Sequence, residues 1–346
     1  MKKILFFTPE RFLYLLVVFL MIVVSVFRLR IGEVGGLFDF LPYYAGLLFG
    51  PVLQNVLGYF GAVLILLFIV FGVVWIYGGV RGHNPHEKLT LHFGAAARRW
   101  WMEKLTVFLK AGLPTILVFF FVGLMMSYLN VINMEALRDN ELLEWDRFLF
   151  GDYPFLALYE VSYPFWMVWS IAQSFSYLPF GFFILFFVAL YRDSKLFVKM
   201  AVTFSLAMVA SVPLWHLFPV MSPHDRYIDN VYELPIAEDI AVRLESFSPQ
   251  PELQRYLDLA REKKNNRLQE HYPTSTFPSA HVAWGVLFIY FSALLDRRLL
   301  WVTVPVGVLS SVGTFFLAQH YVVDVPAGVV VALVAIWIVN RLFPEN

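Results

Sequence analysis

Long apolar runs alternate along this chain with short polar stretches, and that alternation sets its plan. Phe12 to Phe27 is the first run, Val56 to Val80 contains a second, Leu105 to Leu129 is a third, and Ala201 to Val220 a later one. Phe155 to Tyr191 is too long for one ordinary crossing and carries Pro164 and Pro179, so its first part predicts a surface or tilted segment and its second part a span. Val282 to Ala318 is apolar almost throughout, broken only by Asp296-Arg297-Arg298, and Val325 to Phe343 closes the series. Two runs joined by a short charged turn predict a helical hairpin, each arm near the ~20 residues that a bilayer requires. The pattern predicts an all-α polytopic bundle of about eight transmembrane helices.

The polar stretches refine the picture. Gly36 to Gly50 is apolar but broken by Asp39 and Pro42, which suggests an interfacial segment. Arg81 to Lys104 holds His83, His86, His92 and the pair Trp100-Trp101, and reads as a loop with an aromatic interface anchor. The spacing of those histidines matches no metal-ligand pattern. Asn130 to Tyr153 is amphipathic, and Arg192 to Lys199 predicts a basic turn. Ser222 to Thr276 is the one long hydrophilic stretch; its Leu253 to Glu270 portion has helical composition with a modest apolar face and predicts a cap over the membrane domain. Residues 1–130 are thus expected to form N-terminal spans with their loop, and 131–346 a second membrane unit with 222–276 as its cap.

Composition agrees. Of 346 residues 59% are apolar and 15% charged, and the net charge of zero gives no reason to expect a nucleic-acid partner. With no cysteine, disulfides and thiolate chemistry are excluded. Met1-Lys2-Lys3 could open a signal peptide, but the apolar run continues to Phe27 without a small-residue cleavage site, so a retained span is expected. Charge then orients the bundle. With the N-terminus inside, segments 1–11, 81–104, 192–199, 296–298 and 341–346 hold 14 of the 26 Lys and Arg residues, while the short outer segments 28–55 and 131–154 hold four. The cap and the outer ends of the hairpin fall on the extracytoplasmic face.

That hairpin carries the chemistry. Phe277-Pro278-Ser279-Ala280-His281 opens its first arm and His320-Tyr321-Val322-Val323-Asp324 follows its second. A hairpin returns its outer ends to one face, so His281, His320 and Asp324 can meet. Two histidines and an aspartate suit phosphoryl transfer: a neutral imidazole attacks phosphorus, the carboxylate four residues on accepts its Nδ1 proton, and the second imidazole protonates the leaving oxygen. Pro278 favours helix initiation, and the first amides around Ser279 offer a seat for phosphate.

These residues carry a family resemblance. Phe-Pro-Ser-Ala-His at 277–281 resembles the P-S-x-H motif of the type 2 phosphatidic acid phosphatase superfamily, and His320-x-x-x-Asp324 the core of its last motif. The resemblance implies that His320 is the nucleophile, Asp324 its orienting partner and His281 the acid, within a six-helix core over roughly 145–343 that uses no metal and no cofactor. Typical members carry K-x6-R-P and a Ser-Arg pair before the last histidine. This chain has no Arg-Pro dipeptide, and Gly313-Thr314 occupy the Ser-Arg places. In this it is more similar to the inositol phosphorylceramide synthase branch, whose D-x-x-L-F-G segment resembles Asp146-Arg-Phe-Leu-Phe-Gly151. That branch's F-P-x-x-P-P segment resembles Phe218-Pro219-x-x-x-Pro223, with different proline spacing.

Another residue must then neutralise the phosphate. Arg226 is the first candidate, with His224 and Tyr227 beside it and Arg147 as the alternative; His216 reads as a structural, hydrogen-bonded histidine. The expected activity is transfer of a phosphoinositol-type headgroup from a phospholipid to a lipid alcohol, as in sphingolipid metabolism. Hydrolysis of a lipid phosphate or polyprenyl diphosphate, with water as acceptor, is the alternative. A lipid or proton-coupled transporter is the reading from another class, and the chain shows no inverted repeat to favour it.

Overall fold

The structure is a computed structural model that describes residues 8–31, 99–133, 136–265 and 276–344. The expected span within 56–80, the segment 36–50 and the histidines at 83, 86 and 92 lie outside the described residues. Every described element is helical. Among the described residues, six helices are long and apolar enough to cross a membrane: Pro9–Phe27, Arg99–Asn130, Phe165–Arg192, Ser194–Leu217, Arg297–Phe316 and Asp324–Leu342, with Ala280–Leu295 a shorter apolar helix. The chain is therefore an all-α, multi-pass integral membrane protein.

In chain order, α1 spans Pro9–Ile31. A π-helical turn at Phe108–Gly112 leads into α2, Leu113–Asn133, and an amphipathic α3 follows at Asp139–Phe150. The short α4, Pro154–Ala157, continues into a 3-10 turn. Next come α5, Phe165–Arg192, and α6, Ser194–Leu217. The cap contributes α7, Glu238–Glu245, and α8, Pro251–Asn265. The hairpin is α9, Ala280–Leu295, and α10, Leu300–Phe316, and α11 runs from Asp324 to Leu342.

Three boundaries differ from the sequence reading, each for a local reason. The surface part of 155–191 ends before Phe165, and α5 then runs 28 residues straight through Pro179. A proline loses one amide bond, but close packing against α10 and α9 holds the helix together around it. The basic turn expected at 192–199 shrinks to one residue. Asp193 ends α5 and caps α6, its carboxylate accepting from the Lys195 and Leu196 amides at 3.0 Å each. Around Trp100 the chain is already helical, and the ring meets Tyr191 edge-on at 5.0 Å, at the end of α5.

The hairpin is the centre of the bundle. It packs against α5 through α10 and against α11 and α6 through α9, while α1 and α2 pack on α6 from the other side. Of the six helices expected in a core over 145–343, five lie there, and α2 joins them from outside that window. Small residues allow the close approaches. A Cβ added at Gly307 would lie 2.8 Å from Ile289 Cδ1, and one at Gly285 3.1 Å from the Gly307 carbonyl oxygen, so the two arms meet nearly backbone to backbone. Gly328 does the same for α11, where an added Cβ would stand 2.5 Å from the Ser279 carbonyl oxygen.

Gly328 lies one turn beyond Asp324, so this approach sets the distance between the starts of α9 and α11. Gly328→Ala is expected to force them apart and to lower turnover about 10²-fold, the scale of a 1 Å misplacement of a reacting group. Turnover of the purified variant beside its melting temperature checks this, the activity falling well before the fold is lost.

Candidate active site

The site forms where the starts of α9 and α11 meet the end of α10. Ser279 caps α9, its Oγ accepting from the Val282 amide at 3.4 Å. The same Oγ lies 3.3 Å from His320 Nε2. On the other side of the ring, His320 Nδ1 is 3.0 Å from Asp324 Oδ2, and Asp324 is fully buried. That oxygen also accepts from the Tyr321 amide at 3.2 Å. A buried carboxylate on Nδ1 selects the tautomer with its proton there and leaves the Nε2 lone pair toward Ser279. The His281 ring faces the His320 ring, 6.5 Å between centroids at 63°. Phe175 of α5 stacks on His281 at 4.3 Å, and Trp284 flanks it at 5.4 Å. The structure thus brings Ser279, His281, His320 and Asp324 together, with the two imidazoles facing each other.

Residues 317–320 turn sharply at the end of α10. The Thr314 carbonyl accepts from both the Gln319 and His320 amides at 2.9 Å, and Ala318 takes a positive φ of 49°. Thr314 is fully buried, and a Cβ at Gly313 would lie 2.9 Å from Phe175 Cβ. A side chain at the place of Gly313 would press on Phe175, so the packing of α10 on α5 disfavours the serine of the Ser-Arg pair.

Two residues of the site escaped the sequence reading as functional positions. Asp146 accepts from the Val322 and Val323 amides at 2.9 Å each, and so holds the loop between His320 and Asp324. Asp139, two turns earlier on the same buried stripe of α3, accepts from the Met221 amide at 2.8 Å and the Tyr321 hydroxyl at 3.1 Å. Gly151 ends α3 in the left-handed region at φ 75°, which explains the glycine in the D-x-x-L-F-G-like segment. The available signal was a pair of carboxylates interleaved with Leu142 and Leu143 on the stripe that the helix buries.

Burial raises the carboxyls of Asp139 and Asp146 to about 6, against the opposing pull of the amides they bind. A carboxyl whose folded value is raised contributes most stability below its ordinary value of 3.8 and loses that contribution as pH rises through about 6. Asp146→Asn removes one such titration, and its amide group would point a donor at a backbone donor. The variant is expected to show a smaller fall in melting temperature between about pH 5 and pH 7 than the parent. Its turnover should drop about tenfold or more at neutral pH, one charge-assisted bond being worth about 1.5–3 kcal/mol.

The residues expected to bind phosphate beside Pro223 have other partners. Arg226 is buried and donates to the Leu234 carbonyl at 3.5 Å and the Pro235 carbonyl at 2.7 Å. The Tyr227 hydroxyl donates to Asn140 Oδ1 at 3.1 Å, and the ring stacks on Phe155. His224 donates its amide to the Ala318 carbonyl at 2.9 Å, and its Nδ1 lies 3.3 Å from Asp225 and 3.4 Å from Asp229. The segment after Phe218-Pro219 is in this way tied to the turn before His320. Arg147 is half-exposed and contacts the Tyr153 hydroxyl at 3.2 Å. His216, expected as a buried structural histidine, is exposed and meets Phe27 edge-on. It lies on the outward face near the end of α6, where Trp215 takes the buried place. Among the described residues, the donor set able to hold a metal ion is His224, Asp225 and Asp229, whose ligand atoms lie within 4.8 Å of one another.

No curated protein and no solved structure matches the chain. A sequence model of the PAP2 superfamily, the type 2 phosphatidic acid phosphatases, matches residues 140–338, which run from the second residue of α3 to near the end of α11 and contain Asp146, Ser279, His281, His320 and Asp324. That is more than half of the chain, and it supports a lipid phosphatase or phosphotransferase type of activity. The chain belongs to the PAP2 superfamily.

Proposed function

We propose that this chain is a lipid phosphotransferase that works through a phosphohistidine on His320, moving a phosphoinositol-type headgroup from a phospholipid to a lipid alcohol. The observation that carries the reading is the His320 ring held at both nitrogens, Nδ1 by Asp324 and Nε2 by Ser279, with His281 facing it. The donor's phosphoryl group takes the place of the Ser279 contact and sits against the start of α9. The Nε2 lone pair forms a bond to phosphorus, the ester bond to the donor's alcohol breaks, and His281 as imidazolium gives that oxygen its proton. Asp324 stabilises the positive charge on the His320 ring. The acceptor's hydroxyl then attacks phosphorus while neutral His281 takes its proton, and His320 is released. No step draws on a metal ion.

The preference for transfer over hydrolysis rests on the resemblance of Asp146 to Gly151 to the D-x-x-L-F-G segment; the bonds of Asp146 to the loop that joins His320 to Asp324 would serve either outcome. Arg226, with His224 and Tyr227, is the proposed source of positive charge and hydrogen bonds, acting from the segment tied to Ala318. The positive charge of the opposite segments supports an extracytoplasmic site.

The test uses purified protein and phosphatidylinositol labelled in its headgroup, with and without a ceramide-class alcohol. Labelled lipid product that depends on the alcohol supports transfer. Release of water-soluble inositol phosphate alone, unchanged by the alcohol, assigns hydrolysis instead.

A further inference from the structure

The helix that holds the catalytic loop has three distinct sides. With about 3.6 residues per turn, Asp139, Leu142, Leu143 and Asp146 share one stripe of α3, and all four are buried. Asn140, Glu144 and Arg147 form a second, polar stripe, along which Arg147 pairs with Glu144 at 3.7 Å. Glu141, which pairs with Arg138 at 3.4 Å, opens a third side that continues as Trp145, Phe148 and Leu149. These last three are 43%, 86% and 60% exposed, an apolar surface whose Trp145 end meets Phe218 and Phe277. A free-standing globular surface has two environments to satisfy; a helix with three sides fits a line where protein, water and hydrocarbon meet.

The neighbours of the apolar side show where that line runs. Trp145 lies 6.3 Å from Phe218, the residue that follows the spanning helix α6, and 6.5 Å from Phe277, just before α9. Phe218 and Phe277 are 5.4 Å apart, and the Arg138 guanidinium stands 5.2 Å over Phe218. The apolar side of α3 is thus continuous with the ends of two bundle helices. An aromatic cluster at the end of a span, with a cation above it, is the pattern of a membrane–water boundary.

We propose that the Trp145–Phe148–Leu149 side of α3 docks into the headgroup boundary of the bilayer, making α3 the mechanical link between the lipid surface and the catalytic loop. The occupant is lipid, not a second protein. One side of the helix is held by the membrane and the other binds Val322, Val323, Tyr321 and Met221 through its two carboxylates. Phe277 stands two residues before Ser279, so the aromatic cluster adjoins the start of α9. The inference concerns membrane contact and stands whether or not the transferase reading does.

The absence of native cysteines makes the test direct. Phe148→Cys, Leu149→Cys and Glu144→Cys variants of the full chain are labelled with a nitroxide and reconstituted in phosphatidylcholine vesicles. Collision with lipid-dissolved oxygen is compared with collision with a water-soluble nickel chelate. The expected result is oxygen-dominated accessibility at 148 and 149 and chelate-dominated accessibility at 144, independent of protein-to-lipid ratio. Equal chelate accessibility at all three sites would overturn the proposal. So would protection at 148 and 149 from both reagents that is relieved on dilution into excess lipid, because it would assign the face to a protein partner. Depth is read without turnover, so an enzyme inactive on every lipid tested would still report on this proposal. Two labelled positions guard against one variant that fails to fold.

Discussion

His320→Ala is expected to lower turnover by about 10⁴-fold or more, with the fold intact. The ring is the group proposed to form the bond to phosphorus, and groups that act as a unit lose nearly all of their joint effect when one is removed. Its loss also leaves Asp324 buried without the imidazole, and Ser279 without its 3.3 Å neighbour. Asp324 keeps the Tyr321 amide, and the loop keeps its bonds to Asp146, so the site should stay folded around the gap. The check is activity beside a melting curve. A variant that retains a tenth of parental turnover would remove His320 from the role of nucleophile.

His281→Ala is expected to show a different signature, because a general acid matters in proportion to how badly the leaving group needs a proton. With an alkyl leaving group, as in a natural lipid, the loss should be about 10²–10⁴-fold. With an aryl phosphate whose leaving phenol is already acidic, the step of bond breaking should be nearly unaffected. Comparing the two substrates in one variant separates acid catalysis from simple damage. Phe175 and Trp284 lie against the ring, and their collapse into an alanine-sized gap would depress both substrates alike. An equal loss on the two substrates would therefore contradict the assignment.

What could be read from the sequence was the part of the site that lies close together along it. His320 and Asp324 are four residues apart and Ser279 two from His281, and a hairpin is the simplest way for two apolar arms to bring these pairs to one side. The structure keeps that topology, although the arms are 16 and 17 residues long. What could not be read is contact at long range. Asp146 acts on amides 176 and 177 positions away, and Asp139 on a hydroxyl 182 away, and no local pattern encodes such pairings.

The phosphate ligands illustrate a second limit. The charge of Arg226 and its nearness to Pro223 are legible in the sequence, but its bonds to the carbonyls of Leu234 and Pro235 are not. A guanidinium has five N–H donors, so these bonds leave it capacity, but its nearest use is to hold the cap. The boundary between α5 and α6 is hidden from the sequence for a related reason. Arg192, Lys195 and Lys199 suggested a polar turn, whereas a single capping aspartate lets the chain reverse at once and leaves the lysines on helix.

The central claim is a covalent bond between phosphorus and His320, and one measurement addresses it most directly. The protein is mixed with donor lipid labelled on phosphorus, quenched within the first turnover without acceptor, digested and mapped by mass spectrometry. The expected result is an acid-labile phosphoramidate on His320 that forms before product and decays when acceptor is added. Product formed at full rate with no labelled protein at any time, or label on a residue other than His320, would contradict it.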